Sequence, residues 1–295
     1  MTASSDLLHL IRLQVCVYHN AKVCGNWLIQ EHEPGRTCFH VVTDGSCRLE
    51  VPGHLSTLLN TGDLLLFPRE LPHSMVPLEA QEGPQRHLRY AEADKIPGTG
   101  LLCAAVSFRH KASNQLLQAL PPLVLIRNND DNPWLEPLLH MIIGESDGDK
   151  PMSEVILERL CELLFTYALT HFINNLPPQT NLLALHTHPR LANTLNAIHA
   201  SPAAHWTLES MAKHAAQSRT LFARTFKQSS GWTPMQYLTW WRMQLAWSLL
   251  ESGKAVAKVA EDVGYESLAA FSRAFRKCFA LSAGEVRRQA RETLK

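Results

Sequence analysis

The chain has 295 residues, 45% apolar and 19% charged, enough for two domains with separate cores and typical of a soluble globular protein. Its formal net charge of +1 conceals a division: residues 187–295 carry 15 Lys and Arg against 7 Asp and Glu, whereas residues 1–186 carry 13 against 20. An acidic half joined to a basic half suggests that one module meets phosphate backbones and the other avoids them.

No secretory signal opens the chain and no apolar run approaches the ~18 residues of a membrane span, so a cytoplasmic protein with no membrane partner is expected. The seven cysteines are an odd number without a CxxC pair, which argues against a disulfide scaffold or zinc module and for reduced, buried thiols. Near the start, Leu7, Leu8, Leu10, Ile11 and Leu13 are compatible with a helix before the chain turns strand-like at Val15–Tyr18. From Val23 to Phe108, Gly, Pro, Asp and Asn break the sequence into short apolar runs: Asn26–Gln30, Cys38–Thr43, Cys47–Val51, Leu64–Phe67 and Leu101–Phe108. That spacing predicts a sandwich or barrel, with hairpin turns at Asp44-Gly45 and Thr61-Gly62-Asp63. Gln81–Gly100, polar and rich in Gly and Pro, reads as a flexible loop.

Period-two alternation puts Cys38 and His40 on one face of their strand. Together with His73, Cys47 and Cys103 they are the candidate effector or redox residues, and His32, His40 and His73 the candidate metal set, because the family resemblance set out below implies that they line a barrel interior. Imidazole and thiolate in one place suit soft metals and reactive electrophiles. The competing reading makes each histidine a hydrogen-bonded interior side chain and each cysteine a small apolar filler.

Asn114–Leu120 and Trp134–Asn174 turn helical. On Ser153–Ile173, Val155, Ile156, Leu160, Leu163, Leu164, Tyr167, Ala168, His171 and Phe172 make near-continuous apolar stripes. Such a helix must bury against something, either its own barrel or a partner subunit. Gly144–Lys150 reads as a loop, and Asn175–Pro189, with Pro177-Pro178, as a linker in which His186 and His188 supply polarity.

Pro189–His199 then begins a helical domain, with Leu191, Leu195 and Ile198 as its buried stripe. Within it a unit occurs twice. Met211-Ala212 overlays Val259-Ala260 at an offset of 48, and Phe222–Phe226 overlays Phe271–Phe275 at 49. In each copy a short helix (Leu208–His214, Val256–Asp262) leads through a tight turn (Ala215–Ser218, Val263–Ser267) into a longer one, the pattern of a helix-turn-helix. Between the copies Pro234–Ser252 predicts a rod with Tyr237, Leu238, Trp241, Leu245 and Leu249 along one side, started by Pro234 and stopped by Gly253.

Trp206-Thr207-Leu208, Ser218-Arg219, Phe222-Ala223-Arg224, Phe226-Lys227, Gly231, Pro234, Tyr237-Leu238, Trp241-Arg242-Met243, Val263-Gly264-Tyr265, Ser267, Ala270-Phe271 and Arg273-Ala274-Phe275 together resemble the DNA-binding domain of AraC/XylS transcription regulators. The pattern departs at its end, where Ala280 replaces Gly, Ala283 replaces Pro and Val286 replaces Tyr, so an altered final turn and helix are expected. Phe39–Val42 with Gly45–Cys47, and Gly62–Pro68 with His73, resemble the cupin barrels attached to some of these regulators. The two histidines and glutamate that a metal-binding cupin enzyme takes from its first motif fall near Gln30, His32 and Thr37, an incomplete set.

The resemblance implies an α+β multidomain chain: a cupin-like sensor barrel over 1–112, a helical appendage over 113–175 that forms the dimer contact, a linker over 176–188, and an all-α DNA-binding domain over 189–295 with two helix-turn-helix motifs. It implies base contacts from Thr220, Ala223 and Arg224 in the first module and from Leu268, Ala269, Ser272 and Arg273 in the second. Arg219, Lys227, Arg276 and Lys277 are placed for phosphate. The expected partners are double-stranded DNA, a second copy of the chain, a small effector and, for an activator, RNA polymerase. DNA binding itself requires no cofactor. The alternative is a metal-dependent cupin enzyme fused to a DNA-binding domain.

Overall fold

The computed structural model describes residues 13–30, 33–79, 82–93, 95–108, 117, 120–129, 131–146, 153–175, 182 and 184–293. His32, all but the last residue of the helix read over Leu7–Leu13 and most of Asn114–Leu120 lie outside them, while Leu13 itself opens a strand and not a helix. The chain divides into two compact units, one centred on the strands and residues 120–172, the other on residues from 173 onward.

The first unit contains β1 (Leu13–Cys24), β2 (Thr37–Asp44), β3 (Ser46–Val51), β4 (Leu55–Asn60), β5 (Leu64–Phe67), β6 (Ser74–Pro77), β7 (Arg86–Leu88), β8 (Thr99–Phe108) and β9 (Val124–Ile126). Six strands form one sheet in the order β7-β1-β8-β2-β5-β9, and three form another in the order β4-β3-β6. All pairings are antiparallel. At the β2–β3 turn Gly45 has φ +72°, and a Cβ there would meet the Gly98 carbonyl oxygen at 2.9 Å. Buried Asp63 holds the β4–β5 turn: its carboxylate accepts from Asn60 N (2.8 Å) and Asn128 N (3.1 Å) and pairs with Arg127 at 2.6 Å. Val23, Trp27, Cys38, Val42, Cys47, Leu49, Leu65, Phe67, Leu101 and Cys103 make the core, drawn from both sheets.

The strand pattern departs from the predicted runs in three places. Asn26–Gln30 makes only isolated bridges, from Asn26 to Pro84 and Ile29 to Met75, with Trp27 buried between them. Gln81–Gly100 is not simply a loop, because β7 pairs with the end of β1 and Tyr90–Glu92 makes a 3-10 turn. The short strands β4, β6 and β9 have no counterpart among those runs. Helices α1 (Leu135–Ser146) and α2 (Ser153–Asn174) complete the unit. Leu157, Cys161, Leu164, Phe165, Ala168 and Leu169 are buried along α2, and Phe165 meets Phe108 of β8 edge-on at 6.2 Å.

The second unit is helical: α3 (Ala184–Thr187), α4 (Leu191–Ala200), α5 (Leu208–His214), α6 (Arg219–Ser230), α7 (Pro234–Glu251), α8 (Val256–Asp262), α9 (Leu268–Phe279) and α10 (Ala283–Thr293). The stretch read as linker therefore ends in a helix. Leu185 and His186 are both buried in it, and it packs on α4 and α6. Burial, not linker polarity, is the environment of His186.

Around α7 the second unit is organised. Thr233 and Gln236 form a reciprocal cap, Pro234 sits in the first turn, and Gly253 (φ +86°) follows the end. α7 touches α5 and α6 as well as α8, α9 and α10. Neighbours on both sides explain why its burial exceeds a single stripe: Tyr237, Leu238, Trp240, Trp241, Met243, Ala246, Trp247 and Leu250 are buried, while Leu245 and Leu249 are only half-buried. At the end of α9, Ala280 adopts φ +59° where glycine would be unstrained, at a conformational cost of about 1–2 kcal/mol. The helix after it, α10, forms nonetheless, burying Ala283 and Val286.

Candidate functional site

The two modules of the helical unit share one local design. Met211 and Ala212 on α5, like Val259 and Ala260 on α8, are buried beneath the following helix. The turn then passes through one left-handed residue, Ala216 (φ +50°) or Gly264 (φ +78°). The next N–H closes it: Gln217 donates to the Ala212 carbonyl at 3.0 Å and Tyr265 to the Ala260 carbonyl at 2.9 Å. Ser218 and Ser267 cap α6 and α9, each hydroxyl oxygen accepting from the N–H three residues on at 3.4 Å. These landmarks are 48 apart up to Tyr265 and 49 apart from Ser267, so the extra residue of the second module is Glu266.

Capping fixes which side of each long helix faces out. Phe222 and Phe226 on α6, and Phe271 and Phe275 on α9, are fully buried. Thr220, Arg224, Leu268, Ala269, Ser272 and Arg273 are exposed, and Ala223 is half-buried. Arg219, Lys227, Arg276 and Lys277 are exposed beside them. Among the described residues no carboxylate forms an ion pair with any of these six cations. Two capped helices thus present exposed guanidinium and ammonium groups from an apolar base, the arrangement that base edges and phosphates require.

Sequence reasoning passed over the residue that ties the modules together. Arg242 leaves α7 and donates to the carbonyls of Pro202 (2.8 Å), Ala204 (3.0 Å) and Gly264 (3.2 Å), with its guanidinium 5.8 Å from the Tyr265 ring centre. It joins the α4–α5 loop to the turn of the second module. The available signal was a single basic residue, Arg242, in a helix whose one other charged residue, Glu251, is its last.

In the barrel unit the structure brings together Cys38, His40 and His73. Cys38 Sγ is 3.9 Å from His40 Nε2, and the His40 and His73 ring centres are 5.0 Å apart. His73 Nδ1 contacts the Leu71 carbonyl at 2.8 Å, and its ring stacks on Phe67 at 4.7 Å. A fourth residue absent from the sequence reading, Glu70, is buried here. Its ligand atom and those of Cys38 and His40 all lie within 4.8 Å of one another. The hint was Glu70's place inside the Gly62–His73 pattern, but a charged loop residue gives no periodic sign of being buried. Cys47 and Cys103 are core side chains. Burial, with a small contribution from Asp63, pushes the Cys47 thiol up to about 12, and burial raises Cys38 and Cys103 still further. Thiols held protonated in this way are poor nucleophiles, which weighs against these three as direct electrophile sensors.

Comparison with known proteins decides the family. Residues 4–174 match the cupin family model, and residues 211–289 the model of a helix-turn-helix domain. A Streptomyces lividans protein described as an AraC-like transcription regulator is 31% identical over 98% of both chains. The chain belongs to the AraC-like transcription regulators. The regulator is also 30% identical to the HTH-type transcriptional regulator AlkR of Acinetobacter baylyi, over 98% of this chain and 100% of that one. It is 28% identical to the RCS-specific HTH-type transcriptional activator RclR of Escherichia coli, over 99% of both. Its helix-turn-helix half binds DNA, its barrel is a cupin, and no described helix is long and apolar enough to cross a membrane.

The regulator's helical unit carries a pH dependence of its own. Burial lowers the His186 pKa from 6.5 to about 4, and neither ring nitrogen has a hydrogen-bond partner among the described residues. Burial, aided by His186, lowers His199 to about 2; that ring stacks on Trp241 at 3.4 Å and bonds the Tyr237 hydroxyl at 2.8 Å. A depressed folded-state value means the unfolded chain binds protons first, so stability is full above the ordinary pKa and falls as pH drops below it. The melting temperature of the helical unit is expected to fall between pH 6.5 and pH 4. His186→Leu should lessen that slope in a thermal-melt series and leave the part that His199 supplies; an unchanged slope would exclude His186 as one of its sources.

Proposed function

We propose that this regulator is an activator that works as a homodimer in the cytoplasm, where it contacts RNA polymerase and answers to a small effector held in the cupin barrel. Thr220, Ala223 and Arg224 read one stretch of the major groove, and Leu268, Ala269, Ser272 and Arg273 read the next. Arg224 and Arg273 donate paired hydrogen bonds to guanine, whereas Ala223, Leu268 and Ala269 offer apolar contact to thymine methyls. Arg219, Lys227, Arg276 and Lys277 meet phosphates. One observation carries the reading: the same cap, turn and buried phenylalanine pair orient both helices, leaving these polar side chains outward.

The dimer contact falls to α2. While one face of this helix packs into its own unit, Ile156, Leu163 and Tyr167 on another are 41%, 43% and 42% exposed. Their spacing of seven and four residues, with half-buried Leu160 between, is the apolar seam that a second helix covers. The enzyme alternative has less support: the curated relatives are regulators, and Cys38, His40 and Glu70 are shut off from the solvent that a catalytic metal would admit.

Selection of duplexes from a random pool by the purified chain tests the DNA reading. The expected product is a motif of two blocks about one helical turn apart. Lys227→Ala and Lys277→Ala should each lower the slope of log affinity against log salt by about 0.9 per bound protomer without altering the motif. A pool with no common sequence, or salt slopes unchanged in both variants, would overturn the assignment.

A further inference from the structure

We infer that Cys38, His40 and Glu70 supply three ligands of a buried site for a single divalent cation of the zinc class. This deepens the reading of the cupin as the sensing half and rests on it for its regulatory meaning, though metal binding is measured independently of DNA binding.

First, the site is assembled from two separate parts of the fold. Cys38 and His40 alternate onto one face of β2, while Glu70 arrives on the loop after β5. That loop is held in place by the Glu70 N–H, which donates to the Arg36 carbonyl at 2.7 Å, and by the Glu70 carbonyl, which accepts from Gly35 N at 3.2 Å. One carboxylate oxygen also accepts from Glu33 N at 3.1 Å, so the side chain is oriented before any ion arrives. Second, the dimensions suit a tetrahedral ion. Zinc bonds of ~2.3 Å to sulfur and ~2.0 Å to nitrogen put those two ligands about 3.5 Å apart. The observed Cys38–His40 separation of 3.9 Å needs a contraction of only a few tenths of an ångström.

Third, the donor chemistry selects the ion. On binding, the Cys38 thiol loses its proton to solvent, so one thiolate and one carboxylate contribute two negative charges that a divalent cation neutralises. Sulfur disfavours magnesium and calcium, and the mixture of sulfur, nitrogen and oxygen suits zinc. The nearby cation Arg36 is itself paired with Glu33 at 2.9 Å. His40 Nδ1 has no hydrogen-bond partner among the described residues although its ring is buried, an uncompensated cost of burial that ligation through Nδ1 would relieve and ligation through Nε2 would not. His73 stands beside the trio as the closest further imidazole.

The site differs from the one that metal-binding cupin enzymes use, since two of its three ligands are a cysteine of β2 and a glutamate of the second pattern. Its test uses the full-length chain. After exposure to zinc and exhaustive dialysis, elemental analysis should return one zinc per chain, falling at least tenfold in Cys38→Ser and in Glu70→Gln. With cobalt in place of zinc, a thiolate-to-metal charge-transfer band should appear in the near ultraviolet. Cys47→Ser should keep the band and Cys38→Ser should lose it. Far-ultraviolet circular dichroism confirms folding, and if Cys38→Ser does not fold, His40→Asn and Glu70→Gln replace it in the zinc and cobalt measurements. No retained zinc, or a band that survives loss of Cys38, overturns the site. Binding of duplex DNA, followed by anisotropy on the same samples, separates failure of the metal site from failure of the DNA reading.

Discussion

Arg224→Ala and Arg273→Ala are each expected to weaken operator binding by about 5- to 150-fold, the equivalent of the 1–3 kcal/mol that a bidentate arginine–guanine contact contributes to discrimination. Each variant should lose selectivity at one block of the motif and keep it at the other, because the two arginines stand on helices with separate buried bases. The measurement is fluorescence anisotropy against the operator and against single-base variants of each block. Both side chains are exposed and, among the described residues, in no ion pair, so thermal stability should not change. Arg276→Ala is the internal contrast: a lost phosphate contact lowers affinity for operator and unrelated DNA alike. If Arg224→Ala and Arg273→Ala behave like Arg276→Ala, neither residue reads a base.

The second large effect concerns the turn of the second module. Gly264→Ala is expected to destabilise the helical unit by about 3 kcal/mol, combining left-handed strain with overpacking. A Cβ at this position, where φ is +78°, would lie 2.8 Å from the Ala203 Cα and carbonyl oxygen and 2.7 Å from the Arg242 guanidinium. It would press apart the groups that Arg242 holds together through Pro202, Ala204 and Gly264. The first module supplies the control. Ala216 occupies the corresponding left-handed position, is exposed, and already tolerates a methyl group. Ala216→Gly should therefore raise stability, by at most about 1 kcal/mol. Urea unfolding of both variants checks the pair, and a Gly264→Ala protein as stable as its parent would show that the Arg242 clamp does not constrain the turn.

The helical unit was the more legible half because its signals are local. Pro234, Thr233 and Gly253 mark the ends of α7 through dihedral preferences and caps that operate within a few residues. The duplicated Phe222–Phe226 and Phe271–Phe275 spacing likewise fixes an inward face without reference to distant parts of the chain. What remained hidden depends on partners far along the sequence. β7 and β9, three residues each, are too short to show a period, and each exists because a neighbouring strand offers it an edge. Trp27 looks like the centre of a strand but anchors an irregular segment. His186 and Glu70 were missed for one reason: polar residues in stretches without apolar periodicity read as solvated, yet tertiary packing covers both.

In the candidate site, alternation along β2 puts Cys38 beside His40, as observed, and Cys38 shares the apolar interior with Cys47 and Cys103. The late departures from the family pattern also have a concrete outcome. Ala280 takes up the strained conformation that glycine normally fills, and the last helix survives because Ala283 and Val286 still find the core.

A wall shared by two rooms cannot be moved for one of them. Trp241 and Tyr237 near the start of α7, and Trp247 and Leu250 near its end, line different interiors of the same helical unit. Excising either half would leave tryptophan-rich surface bare, so a truncated single-motif fragment should be prone to aggregation, and chimeras made by exchanging one motif should inherit mismatched partitions. Retargeting this regulator to a new operator is therefore best attempted on the outward faces of α6 and α9, or by transplanting the whole helical unit intact.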